Sequence, residues 1–294
     1  MDEEKKIKVV FFGTPEFAVG ILEQLKIFGG PTSEDLLLPS LIITTPDKPA
    51  GRKLKLTPPP IKIWADENHI PTLQPKKLDE KFSDEIKNFS SQKWDLFIVA
   101  AYGKIIPQII LDLPKYGTLN IHPSLLPKFR GATPIHSAIL AGENKTGVSI
   151  ILMDEKMDHG PIVEQEEIQL WENSISEMPS ESELGKTLAQ LGGNLLGNTI
   201  SKWVGDEIKA IEQKHGEATF CNKLKSNDAL IDLGGNATKN FLKIQAFNKW
   251  PNAHFFQREK RIVIKKARLK NNELIIERIL PEGKQEIDFV NLPK

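Results

Sequence analysis

The sequence predicts an α/β protein, a doubly wound and mostly parallel sheet of Rossmann-like type followed by a small β-rich domain. Three observations carry this. Short apolar runs alternate with helix-length segments through the first two hundred or so residues. Those runs are apolar at consecutive positions, as in strands buried on both faces. After Trp203 the chain turns polar, then ends in two segments rich in branched residues.

In order, IKVVFF (7–12) is the first buried strand, and Gly13 ends it. Thr14-Pro15-Glu16 predicts an N-cap, a proline at N1 and an acid in the first turn, opening a helix over about 15–28. LIIT (41–44) is a second strand and IKIWADENH (61–69) a helix. DLFIVAAYG (95–103) and GTLNIH (117–122) follow as strands, with GVSIILM (147–153) and PIVEQEEIQL (161–170) as neighbours or hairpin arms. A helix fits within 181–204, VGDEIKAIEQKHGEA (204–218) has the polarity of a linker, and TKNFLKIQAFNKW (238–250) is helical. RIVIKKARL and ELIIERIL are strands of the second domain. The expected division is 1–204, a linker over 205–217, and 218–294.

Lys plus Arg equals Asp plus Glu at 39 each, so net charge says nothing about a polyanionic partner. Its distribution says more: from residue 209 onward there are 17 basic against 10 acidic side chains, a balance compatible with nucleic-acid binding. A single cysteine, Cys221, excludes an internal disulfide, and no Cys/His spacing suggests a metal site. The acidic start and short first apolar run do not fit a secretory signal, and no stretch is long and apolar enough to span a membrane. A cytoplasmic protein without membrane association is expected.

The first strand-to-helix turn holds one glycine, Gly13, where a dinucleotide fingerprint needs three, so an NAD enzyme is disfavoured and Gly13 reads as a tight turn. The segment PDKPAGRKLKLTPPP (46–60) has five prolines, predicting irregular structure, and is loaded with Lys48, Arg52, Lys53 and Lys55. It is either a solvated linker or a basic arm reaching a phosphate backbone. Asn120 and His122 are two apart on a strand and share a face, and Pro123 puts them at its C-terminal end, where open α/β sheets bind ligands. They serve either as structural hydrogen-bonders or as an oxyanion donor and a proton carrier. Asp158, beside Gly160 in the turn after Met153, either caps that turn or orients an imidazole. Asn, His and a distant Asp together would suit acyl transfer to an amine.

FGTPEFA (12–18), PDKPAGRKLK (46–55), AAYGKIIP (100–107), NIHPSLLPKFRGATPI (120–135) and MDEKMDHGPI (153–162) resemble the methionyl-tRNA formyltransferases, folate-dependent enzymes, in order and spacing. KLKSNDALIDL (223–233) and IQAFNKWPNAHF (244–255) extend the resemblance over most of the chain. It implies that Asn120, His122 and Asp158 are catalytic. It implies that Ser124, Leu125, Leu126, Pro127, Arg130 and Gly131 lie along the folate, and that Val99, Ala101, Tyr102, Met153 and Asp154 wall the pterin pocket. Lys48, Arg52, Lys53 and Lys55 would contact tRNA, and 218–294 would be a tRNA-binding OB-like domain. Only Lys270, Asn271 and Asn272 separate its last two strand-like segments, where the family generally has extra strands, so the barrel is expected to be shortened.

The implied reaction moves a formyl group from 10-formyltetrahydrofolate, a co-substrate, to the amino group of initiator methionyl-tRNA, with no metal and a monomeric enzyme. Asp158 would set the imidazole tautomer. The alternatives are formyl transfer to an amino sugar nucleotide, which leaves the basic arm unexplained, and a non-catalytic RNA-binding protein.

Overall fold

The computed structural model describes residues 7–28, 38–50 and 54–293. The first strand, β1 (Val9–Gly13), is buried along its length and leads into α1 (Glu16–Phe28). Next come β2 (Leu41–Ile43), the short strands β3 (Lys48–Ala50) and β4 (Lys55–Thr57), α2 (Pro60–Glu67), β5 (Thr72–Leu73) and α3 (Glu80–Asn88). These are followed by β6 (Leu96–Ala100), α4 (Gln108–Leu111), β7 (Thr118–His122), β8 (Arg130–Gly131), α5 (Pro134–Ala141), β9 (Lys145–Leu152), β10 (Ile162–Gln169) and α6 (Glu181–Val204). The chain closes with β11 (Phe220–Cys221), α7 (Ala237–Ala246), β12 (His254–Gln257), β13 (Lys260–Lys270), β14 (Glu273–Pro281) and β15 (Ile287–Asp288).

Among the described residues, seven strands form one sheet in the order β10-β9-β7-β6-β1-β2-β5. β1, β2, β5, β6 and β7 run parallel, and β9 runs antiparallel to β7. This is the mostly parallel sheet expected from the unbroken apolar runs. One face shows the period of two: Val10 and Phe12, Leu41 and Ile43, and Phe97 and Val99 join one buried cluster. Behind the other face, Gly193 of α6 abuts the backbone of Ile21 and Gly197 abuts the Phe28 ring. Glycine costs about 1 kcal/mol in a helix interior relative to alanine. Here it lets α6 approach α1 more closely than a Cβ would permit.

Two compact units emerge. The first is Met1–Arg130 as far as described, Gly147–Glu166 and Leu188–Ala218; the second is Gly131–Thr146, Glu167–Thr187 and Thr219–Lys294. Within the second, an antiparallel sheet in the order β12-β13-β14-β15 carries α7 on β13 and β14. β13 and β14 are joined directly through Asn271 and Asn272, at φ 50° and 60°. Both central residues of a type I′ turn need positive φ, which asparagine tolerates.

Three local expectations are corrected. The first helix starts at Glu16, with Pro15 supplying the carbonyl that Ala18 and Val19 bond. The Thr14 hydroxyl donates to the Tyr102 carbonyl at 3.1 Å instead of capping. The 46–60 segment is not wholly irregular, because β3 and β4 pair antiparallel, with Pro49 opposite Leu56. Both strands of a two-stranded ribbon are edge strands, where alternate residues turn their N–H outward and proline is tolerated. The supposed linker returns to the first unit, where Ile211 exchanges backbone bonds of 2.7 and 2.8 Å with Ile162.

Candidate active site

β7 ends at the sheet's C-terminal edge with Asn120 and His122, both buried at 8% and 4% exposure. In register, Asn120 lies between Val99 of β6 and Ile151 of β9. The turn between β9 and β10 carries Asp158 to them. Asn120 Nδ2 donates to Asp158 Oδ1 at 3.3 Å, and His122 Nδ1 lies 3.6 Å from the same oxygen. A carboxylate only accepts, which fixes the orientation of the Asn120 amide.

The second imidazole nitrogen is committed. His122 Nε2 is 2.9 Å from the Phe129 carbonyl oxygen. A carbonyl cannot donate, so Nε2 carries the proton and the Phe129 carbonyl sets the tautomer. The sequence had suggested Asp158 for that task. In the neutral ring Nδ1 is then a lone pair facing a carboxylate oxygen. Two acceptors in that position attract only when a proton lies between them, from the imidazolium or from an amine in the gap.

Asp158 sits at φ 49°, in the left-handed region that costs a residue with a Cβ about 1 kcal/mol or more. Gly160 packs so tightly that a Cβ there would overlap the Leu152 carbonyl. The turn is braced further by His159, whose Nδ1 is 2.7 Å from Asp154 Oδ2, while Asp154 Oδ1 accepts from the Lys156 backbone at 2.9 Å.

Gln213 was not anticipated. It is 5% exposed, and its amide donates to the carbonyls of Asp158 (3.0 Å) and Gly160 (2.7 Å). Its oxygen accepts from Arg130 Nε (3.2 Å) and Nη2 (2.7 Å). Arg130 Nη2 also meets His215 Nδ1 at 2.9 Å, and the His215 ring stacks on His159 with centroids 4.1 Å apart. A lone glutamine in a polar stretch has no periodicity to betray it. The one available signal was Ile211, an apolar residue two positions before it in the same stretch.

The residues expected along a folate fall into two groups. In the first, polar groups are spent on the protein. Ser124 Oγ donates to the Lys128 carbonyl at 2.6 Å, and the Ser124 carbonyl and Leu126 N–H are both bound by Ser149 Oγ. Gln165 Nε2 donates to the Leu126 carbonyl, so the Ser124–Pro127 loop is held at several points, and Leu125 contributes packing near Gly147. Arg130 is likewise consumed, and Gly131 at φ 121° lies against the Cys221 carbonyl, where a Cβ has no room. The second group forms a wall: Val99 and Tyr102 share an apolar cluster that Met153 packs against, while Ala101 is exposed at φ 48°. Tyr102 stands edge-on to Phe12, and its buried hydroxyl finds no partner among the described residues. Burial pushes its pKa up, so it stays a phenol with a proton to donate.

A cavity of about 310 Å³ opens beside the ends of β1 and β2, lined by Thr14, Glu16, Thr45, Lys48, Thr57 and Pro59 among others. Lys48 and Lys55 are exposed on β3 and β4, and Arg52 and Lys53 lie outside the described residues. Lys48 lines this cavity, and Lys104 is held below its ordinary pKa by burial and then by the charge of Lys48. No cluster of three or more His, Cys, Asp or Glu fit for a metal occurs among the described residues.

Residues 5–200 match the formyl transferase family and residues 223–290 match the formyl transferase C-terminal domain. Over 248 residues the chain is 41% identical to the methionyl-tRNA formyltransferase of Geobacillus sp. (strain WCH70), covering 84% of this chain and 74% of the relative. The chain belongs to the methionyl-tRNA formyltransferase family. The enzyme of Bacillus cereus (strain B4264) is 39% identical over the same shares of the two chains. This formyltransferase also shares its fold with solved structures of low identity. The methionyl-tRNA formyltransferase from Clostridium thermocellum gives a TM-score of 0.61 at 16% identity, over 94% of this chain and 98% of that one. The N-formyltransferase from Helicobacter canadensis, solved with folinic acid and dTDP-3-aminofucose, gives 0.64 at 18%, over 94% and 96%. No helix among the described residues is long and apolar enough to cross a membrane.

Proposed function

We propose that this formyltransferase carries the formyl group from 10-formyltetrahydrofolate to the amino group of initiator methionyl-tRNA, with Asn120, His122 and Asp158 performing the transfer. The observation that carries the reading is the convergence of Asn120 Nδ2 and His122 Nδ1 on one Asp158 oxygen, with His122 Nε2 already fixed by Phe129. The amine nitrogen attacks the formyl carbon, and negative charge builds on the formyl oxygen. An Asn120 N–H donates to that oxygen; loss of such a donor costs about 3 kcal/mol. His122 Nδ1 takes the proton the amine sheds, the imidazolium is stabilised by Asp158, and the proton passes to N10 as the carbon–N10 bond breaks.

The folate lies along Ser124, Leu125, Leu126, Pro127, Arg130 and Gly131, held largely by their shape because the Ser124 and Leu126 polar groups and Arg130 Nε and Nη2 are already bonded. Val99, Ala101, Tyr102, Met153 and Asp154 surround the pterin, with the unpartnered Tyr102 hydroxyl as its donor. Residues 1–204 carry the chemistry, and 218–294 add tRNA contacts to those of Lys48, Arg52, Lys53 and Lys55. The enzyme works as a cytoplasmic monomer, where its charged tRNA acceptor is found. Offering the same folate donor with charged initiator tRNA and, separately, with dTDP-amino sugars tests this. Turnover on the tRNA at least about a hundredfold faster supports it, a margin that even apolar discrimination can reach. Equal or faster turnover on the sugar contradicts it.

A further inference from the structure

Gln213 is 83 residues from Arg130 and 55 from Asp158, yet its amide is saturated by them. Both N–H groups reach the carbonyls on either side of His159, and both lone pairs of the oxygen are taken by the Arg130 guanidinium. The backbone bridge between Ile211 and Ile162 sets the register of this segment two residues before Gln213. The turn it grips contains Asp158 in the left-handed region, a conformation that persists only where the surroundings hold it. Arg130, at the other end of the grip, directly follows Phe129, also at positive φ, whose carbonyl fixes the His122 ring. A continuous path of bonds therefore runs from His122 through Phe129, Arg130 and Gln213 to Asp158, and it encloses the 3.6 Å gap between the imidazole and the carboxylate.

We propose that Gln213 is a positioning residue which, through Arg130, fixes the separation of His122 and Asp158 for proton transfer. It touches no reacting atom. The proposal rests on the catalytic reading of His122 and Asp158 above, and the two are tested separately. Gln213→Glu keeps an acceptor for Arg130 but turns a second acceptor on the carbonyls of Asp158 and Gly160. Gln213→Met keeps the volume and removes all four bonds without adding charge.

Single-turnover formyl transfer, the KM for each substrate and the thermal midpoint are measured for wild type, Asp158→Asn, each Gln213 variant, and each combined with Asp158→Asn. The expected result is a fall of about thirtyfold in the rate constant for both Gln213 variants, with KM changed less than about twofold. In the Asp158→Asn background the same substitutions should cost less than about threefold, because residues acting through one group do not add. Should one variant fail to fold, the other carries the comparison. A full thirtyfold loss in the Asp158→Asn background, or a loss confined to KM or the thermal midpoint, overturns the positioning role. So does wild-type turnover in both Gln213 variants. If Asp158→Asn itself turns over like wild type, the catalytic reading has failed, whatever Gln213 does.

Discussion

The turn at 158–160 and the arm at 46–57 both stand at loop edges of the same sheet, and they are built on opposite principles. In the turn, Asp158 and Gly160 have their carbonyls bound by Gln213, and the backbone is too closely packed at Gly160 to admit a side chain. The described part of the arm is tied near its base, where Gln74 Nε2 donates to Asp47 at 2.7 Å and to the Thr45 carbonyl. Gln74 and then Lys62 hold the Asp47 carboxyl below its ordinary pKa. Farther out, Leu54, Lys55 and Leu56 are exposed. Proton transfer between two groups demands separations fixed to a fraction of an ångström, so its residues are buried and cross-braced. Attraction of a polyanion depends on summed charge at a distance and tolerates exposed, separately anchored cations.

That contrast is breakable at the turn first. Gly160→Ala should cost about 3 kcal/mol by forcing a methyl into the Leu152 carbonyl, the overpacking range for a site that cannot yield. Lys55→Ala in the arm should stay within about 0.5 kcal/mol. Denaturant unfolding of both variants compares them, and a Gly160→Ala protein as stable as Lys55→Ala would remove the distinction.

A second, smaller effect tests the arm. Lys48→Ala with Lys55→Ala should raise the KM for charged tRNA about tenfold at 0.15 M salt, leave kcat within about twofold, and make binding less salt-dependent. Direct tRNA binding across a salt series measures this; an unchanged salt slope would take these lysines out of the interface.

A third effect, absent at neutral pH, concerns the second unit, where the His136 ring packs against Phe247 with centroids 5.9 Å apart. Burial, and then the Lys249 charge, lowers its pKa from 6.5 to about 4. The unfolded chain therefore binds a proton near pH 6.5 that the folded one refuses until about pH 4. His136 imposes no penalty above pH 6.5; as pH falls toward 4, stability drops by up to about 1.4 kcal/mol per unit. His136→Phe should flatten that part of the stability–pH curve, and an unaltered slope would show that the imidazole titrates normally.

What the sequence disclosed follows the same division. β1, β6 and β7 are legible because each is a run of consecutive apolar residues, and Pro123 marks where the last one stops. Asn120, His122 and Asp158 were identifiable as candidates from residue type and place at strand ends. Their mutual geometry was not, since it depends on the Phe129 carbonyl, a backbone group no motif displays. Arg130 stood inside a recognisable motif, yet its guanidinium serves Gln213 and His215, more than eighty positions away. The β3–β4 pairing was hidden by prolines that a two-stranded ribbon accommodates at its edge.

The most direct test of the account is single-turnover formyl transfer from 10-formyltetrahydrofolate to charged initiator tRNA by wild type, His122→Ala and Asp158→Asn, with thermal midpoints alongside. The account predicts transfer by wild type and a fall of about a hundredfold or more in each variant, with folding preserved. Transfer within about threefold of wild type in either variant would contradict it, because proton handling by the pair would then contribute less than 1 kcal/mol.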